Sequence, residues 1–183
     1  MKQPSTQHMI LQAARRVVQS GGVATLTLDA VAQEAGVSKG GLLYHFPSKE
    51  KLIAGMIEDM LATFDDDLRA QAEADEPGQP AGAWVRAYAR VTCAPDWQSL
   101  DVSADLLAAI STKRELLAPL RARYAEWQQQ IEHDGIDPAI ATLVRLAADG
   151  LWFADMFGLA PPSAALRARM LDTLIALTQE EPR

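Results

Sequence analysis

The chain has 183 residues, 49% hydrophobic and 22% charged, with one cysteine, four tryptophans and a formal net charge of −7. Cys93 alone forms no intrachain disulfide, no run nears the ~20 apolar residues of a membrane span, and residues 1–8 lack a signal-peptide core. A disulfide scaffold, a membrane protein and a disordered tail are thus excluded, a cytoplasmic protein of one domain or two is expected, and the negative charge is unevenly spread. Residues 1–53 carry six basic against three acidic side chains, and the remainder carries eleven against twenty-one. A basic head on an acidic body suits a protein whose head alone meets a polyanion.

Ser5 or Thr6 caps a first helix with Ile10, Ala13, Ala14, Val17 and Val18 on one face, and Gly21-Gly22 stops it. Thr27 is the predicted N-cap of a short second helix, with Asp29 at the positive end of its dipole. Leu28, Val31, Ala32 and Ala35 form its inward stripe. Gly36 breaks it, Ser38 caps a third helix to about Phe46, Pro47 ends that one, and Ser48 caps a fourth near Lys49. Two short helices around a glycine turn make a helix-turn-helix unit. In the second of them Leu42 and Phe46 share the inward face, which turns Gly40, Gly41, Leu43 and Tyr44 outward. Glycines there let the backbone approach base edges, and a tyrosine hydroxyl reaches a phosphate. An ordinary helical hairpin with close-packed glycines is the alternative; the basic head favours DNA.

The stretch from Thr27 to Glu50, TLDAVAQEAGVSKGGLLYHFPSKE, resembles the DNA-binding region of the tetracycline-repressor (TetR) family of regulators. The resemblance covers about Thr6 to Ile53 and implies an all-α homodimer that binds palindromic operators and releases them when a small molecule binds its C-terminal domain. It implies phosphate contacts from Thr27, Lys39, Tyr44, His45 and Lys49, and places Ser38, Gly40, Gly41 and Leu43 on or near base edges. Leu43 stands where many members have tyrosine, so an apolar contact replaces a hydroxyl there.

Beyond the head, Met56, Ile57, Met60, Leu61, Phe64 and Leu68 continue a long fourth helix, on which Asp65-Asp66-Asp67 reads as a solvated face and not a metal site. Pro77, Gly78, Pro80 and Gly82 mark a loop, and helices follow at about Trp84–Ala94, Ser99–Ile110 and Lys113–Glu132. Pro119 either kinks the last of these or begins a new one. Asp137-Pro138 starts a helix with the stripe Ile140, Leu143, Val144, Ala147 and Leu151. Pro161-Pro162-Ser163 starts the final one, carrying Leu166, Met170, Leu171, Leu174, Ile175 and Leu177. Periodicity reads these two helices as core, whereas the resemblance implies a dimer seam.

All four tryptophans lie in the body. Trp84, Trp97, Trp127 and Trp152, with Tyr88, Phe153, Met156 and Phe157, are either plain core or the lining of a cavity for a flat apolar ligand. Asp101, Asp105, Glu126, Asp149 and Asp155 fall among them, and a carboxylate beside aromatic rings holds an organic cation unless it faces solvent or pairs with an arginine. The candidate effector set is Tyr88, Trp97, Asp105, Trp127, Asp149, Trp152, Phe153 and Met156. The three histidines are scattered, and no phosphate loop, nucleophile elbow or metal spacing occurs, so no enzyme, metal or cofactor is expected. The expected architecture is all-α with about nine helices, a helix-turn-helix head over 1–53 and a ligand-binding and dimerisation domain over 54–183. The expected function is a ligand-responsive transcriptional regulator, a repressor released by a small lipophilic effector that includes cations. A helical sensor or adaptor acting without DNA is the alternative, against which Lys39, Tyr44 and Lys49 argue.

Overall fold

The computed structural model describes residues 5–75, 80–94 and 114–179. Among them it is all-α, with eight α-helices and no strand: α1 (Thr6–Gly21), α2 (Leu28–Ala35), α3 (Lys39–His45), α4 (Lys49–Glu73), α5 (Ala83–Cys93), α6 (Arg114–Glu132), α7 (Pro138–Phe157) and α8 (Ala164–Leu177). A single 3-10 turn, Val23–Thr25, joins α1 to α2. The helix expected at Ser99–Ile110, with Trp97, Asp101 and Asp105, lies outside the described residues. The described residues form two compact units, one from 5–61 and 114–121, the other from 62–75, 80–94 and 122–179.

The first unit is organised by its caps. Ser5 accepts from the His8 amide, Thr27 from Ala30, Ser38 from Gly41 and Ser48 from Lys51, each satisfying an orphan donor of a first turn. Helices as short as α2 and α3 are marginal alone, so burial must hold them. Ile10, Ala14 and Val18 of α1, Val31 of α2, Leu42 and Phe46 at α3, and Leu52 and Met56 of α4 are all buried. Each large apolar side chain hidden in this way contributes roughly 1.5–3 kcal/mol.

The second unit packs α5 against α7 and α8. Its polar interior departs from the sequence reading. Asp65 is not on a solvated face: it is buried, accepting from Trp127 Nε1 at 2.8 Å and pairing with Arg123 at 3.0 Å. Asp66 and Asp67 remain exposed, as consecutive helical residues must diverge. Pro119 lies inside the single helix α6, which continues to Glu132. On α7 the expected stripe is divided: Val144 and Leu151 are buried, Ile140 and Ala147 are half-buried and Leu143 is 60% exposed, while Ala141 and Ala148, outside that stripe, are buried instead. The helix is apolar on two faces, so its periodicity alone selects neither as the inner one.

Candidate functional site

The turn between α2 and α3 is closed by Gly36, whose φ of +67° gives α2 a left-handed cap that a side chain would strain. Ser38 then starts α3. Leu42 and Phe46 anchor this helix inward, and the opposite face presents Leu43 and Tyr44, the latter 85% exposed. A Cβ at Gly40 would meet nothing within 4 Å, so that glycine serves no internal packing. The Tyr44 ring meets the His45 ring edge-on at 5.1 Å. The Thr27 and Ser38 hydroxyls accept their capping bonds as oxygens, which leaves each O–H proton available to a phosphate.

The cations of this region fall into two groups. Arg15 pairs with Asp59 at 2.8 Å, Arg16 with Glu34 at 2.6 Å and Lys39 with Asp29 at 2.8 Å. Lys49 and Lys51, at the start of α4, form no ion pair among the described residues. The Lys39–Asp29 pair is exposed on both sides and worth little on its own, so Lys39 is easily drawn to a stronger anion. All nine residues expected at DNA thus lie between the caps of α2 and the first turn of α4.

In the second unit the rings of Phe64, Tyr88, Tyr124 and Trp127 form one cluster. Centroids lie 4.7 Å apart for Phe64–Trp127, 5.0 Å for Tyr124–Trp127 and 5.5 Å for Phe64–Tyr88, all edge-to-face. Asp149 of α7 meets this cluster, accepting from the Tyr88 hydroxyl at 2.6 Å and from Arg145 at 2.7 Å. Burial raises the Asp149 carboxyl above its ordinary 3.8 against the lowering pull of Tyr88 and Arg145, and pushes the Tyr124 hydroxyl up to about 12. Among the candidate effector residues, Tyr88, Trp127 and Asp149 come together here; Trp152 and Met156 are half-buried on α7. Phe153 stands apart, 49% exposed on the outer face of α7 against Phe157 at 4.5 Å. Asp155 pairs with Arg167. Trp97 and Asp105 lie outside the described residues. Phe64, Tyr124 and Gln128 were not among the expected site residues; the Tyr124–Trp127 spacing of three, which puts both rings on one side of α6, was the available signal.

Residues 10–56 match the model for bacterial regulatory proteins of the tetR family, and residues 82–179, over half the chain, match the tetracyclin repressor-like C-terminal domain. The chain belongs to the TetR family. TetR-family proteins are DNA-binding transcriptional regulators and not enzymes, which agrees with the helix-turn-helix geometry. The chain is similar to the HTH-type transcriptional regulator TtgR of Pseudomonas putida, 35% identical over 71 residues, or 39% of this chain and 34% of that protein. It is also similar to the nucleoid occlusion factor SlmA of a Marinomonas species, 45% identical over 49 residues, 27% of this chain and 25% of that one. These matches span about a third or less of either curated relative. In fold the likeness to solved structures extends over most of the chain. A transcriptional regulator from Rhodococcus sp. RHA1 superposes with a TM-score of 0.73 at 21% identity, covering 95% of this chain and 96% of that one. The multidrug binding protein EbrR complexed with ethidium gives 0.67 at 24% identity, covering 93% and 98%. Among the described residues no helix is long and apolar enough to cross a membrane, and no group of three or more His, Cys, Asp or Glu could hold a metal ion.

Proposed function

We propose that this regulator is a cytoplasmic repressor that binds a palindromic operator as a homodimer and releases it when a small lipophilic effector enters the C-terminal domain. Residues 1–53 are its DNA-binding domain and 54–183 its effector-binding and dimerisation domain. The observation that carries the reading is α3, anchored by Leu42 and Phe46 and presenting glycine, Leu43 and Tyr44 outward. In a major groove that face puts Ser38, Gly40, Gly41 and Leu43 at base edges, while Thr27, Lys39, Tyr44, His45 and Lys49 meet phosphates. Leu143, Leu146, Phe153, Phe157 and Leu166 form the exposed apolar surface of α7 and α8, which suits a second copy of the chain. The aromatic cluster with Asp149 supports an aromatic effector, cations included; EbrR, alike in fold, has been crystallised with ethidium and with malachite green. The effector must bind the released state more tightly than the DNA-bound one, since equal affinity shifts nothing.

A gel-shift titration on the DNA upstream of its own gene, with and without effector, tests this reading. Substituting Lys49 by alanine is expected to weaken binding to all sequences and flatten the salt dependence by about one unit for each phosphate that the lysine neutralises. An unchanged salt slope would remove Lys49 from the DNA backbone. Leu43 offers no hydrogen bond, so its base contact is apolar, and the thymine methyl is the apolar group on a major-groove base edge. Leu43→Ala is therefore expected to relax preference at one symmetric pair of operator positions. The decrease should stay below the ~1–3 kcal/mol of a bidentate contact, and the salt slope should not move. Replacing that thymine by uracil should mimic the substitution; an altered salt slope in Leu43→Ala would place the residue on the backbone instead.

A further inference from the structure

Asp149 and Arg145 differ in how they are held. Asp149 is a short side chain fixed to the buried wall: the Tyr88 hydroxyl, itself on a side chain with 1% exposure, donates to Oδ1 at 2.6 Å. Arg145 reaches the other oxygen on a long stem, with Nη1 2.7 Å from Oδ2 and Nε 2.6 Å from Gln128 Oε1. Its Cζ lies 6.0 Å from the centre of the Tyr124 ring. The guanidinium therefore has a carboxylate, an amide oxygen and an aromatic face around it, which is the set of partners that selects an organic cation. Both side chains keep a path to solvent, at 21% exposure for Asp149 and 13% for Arg145. An arginine stem can swing outward by rotamer change while its head stays hydrated, whereas Asp149 cannot leave without breaking its hydrogen bond with the buried Tyr88. The Gln128 amide is held from its other end by a bond from Nε2 to Thr142 Oγ1 at 2.9 Å, so its oxygen stays in place if the arginine departs.

We propose that the Arg145 guanidinium is a built-in stand-in for the effector: it fills the seat between Asp149, Gln128 and Tyr124 that an aromatic organic cation takes by displacing it. This inference rests on the second unit being the effector domain. It assigns the effector a positive charge and Arg145 the role of an internal competitor. The competitor keeps the half-buried carboxylate neutralised in the empty state, where an unpaired charge would be costly. It also sets a threshold, since a cation must outbid a tethered group before it binds.

The test is calorimetric titration of the full chain, without DNA, against three phenyl-bearing probes of different charge: tetraphenylphosphonium, tetraphenylborate and neutral triphenylphosphine oxide. The wild type is expected to prefer the phosphonium. Arg145→Gln should tighten the phosphonium by about tenfold, as removal of a competing occupant does, and leave the phosphine oxide unchanged. Arg145→Lys, which retains a tethered cation, should stay near wild type. Millimolar guanidinium should compete with the phosphonium in Arg145→Gln. Asp149→Asn should abolish the preference for the phosphonium over the phosphine oxide, and it decides the matter alone if Arg145→Gln fails to fold by circular dichroism. Unchanged or weaker phosphonium binding in folded Arg145→Gln overturns the inference, as does a wild-type preference for tetraphenylborate that disappears in that variant. Equal binding of all three probes to wild type overturns it too, yet leaves the effector-domain reading standing; binding of none, with DNA still shifted, removes both charge and effector site while sparing the DNA reading.

Discussion

Leu146→Glu is expected to turn the protein into monomers and to lower its operator affinity by about 10²–10⁴-fold, the range that joining two binding modules commonly supplies. The side chain is half-exposed in the free chain, so the change takes nothing from the core. Leu143, Phe153 and Phe157 extend the same outer face of α7, and Leu166 adds to it from α8. A carboxylate placed there twice, once from each subunit, would be buried opposite its own copy, where like charges cost several kcal/mol. Sedimentation velocity reads the mass and a gel shift reads the affinity. A dimer that persists with wild-type affinity would put the seam elsewhere; an unchanged thermal melt of the monomer would show that the fold survives.

Arg86→Met is expected to cost about 3–5 kcal/mol of unfolding free energy, the usual penalty for stranding one member of a buried ion pair. The Arg86 and Asp75 side chains are only 2% and 3% exposed and lie 2.6 Å apart. Arg86 also donates to the Ala81 carbonyl at 2.9 Å and the Thr178 hydroxyl at 3.3 Å. Arg90, on the other Asp75 oxygen at 2.6 Å, offsets part of the cost. Urea unfolding followed by circular dichroism gives the number, and a cost under about 1 kcal/mol would show that Arg90 suffices. The pH dependence carries a second signature. Burial raises the Asp75 carboxyl, but hydrogen bonds and charge from Arg86 and Arg90 outweigh it and hold the group below its ordinary 3.8. Its stabilisation is therefore complete above 3.8 and lost as pH falls through the depressed value. Asp134 and Asp149, both raised by burial, act with the opposite sign: their contribution is present below 3.8 and lost as pH rises through their own higher values. The informative quantity is the difference between the two proteins below about pH 4, where the wild type should lose more stability than Arg86→Met.

The caps at Thr27, Ser38, Ser48, Asp137 and Ser163 were legible in the sequence because each acts within three residues of itself, and the structure chooses Ser5 over Thr6 for the first helix. The outward face of α3 was legible for a similar reason: Leu42 and Phe46 lie one turn apart and leave one outward side. Asp65 was not legible. Its partner Trp127 is 62 residues away, and nothing near Asp65 distinguishes it from the solvated Asp66 and Asp67. The same separation hid the meeting of Tyr88 with Asp149, 61 residues apart. On α7 the difficulty was one of symmetry, since a helix apolar on both sides gives Leu143 and Val144 equal claims to the interior.

The prior pairing of Arg15 and Arg16 with carboxylates bears on how the head meets DNA of arbitrary sequence. Counterion release scales with the number of phosphates neutralised, and charges already answered within the head add little to it. The head is then expected to grip arbitrary sequence weakly and to leave it quickly, which would shorten the time spent on wrong sites. Dwell time is expected to come instead from the fit of α3 in the groove and, in the proposed dimer, from two heads engaging together. A regulator with such a head is expected to stay largely off non-operator DNA, so that most copies are free of it.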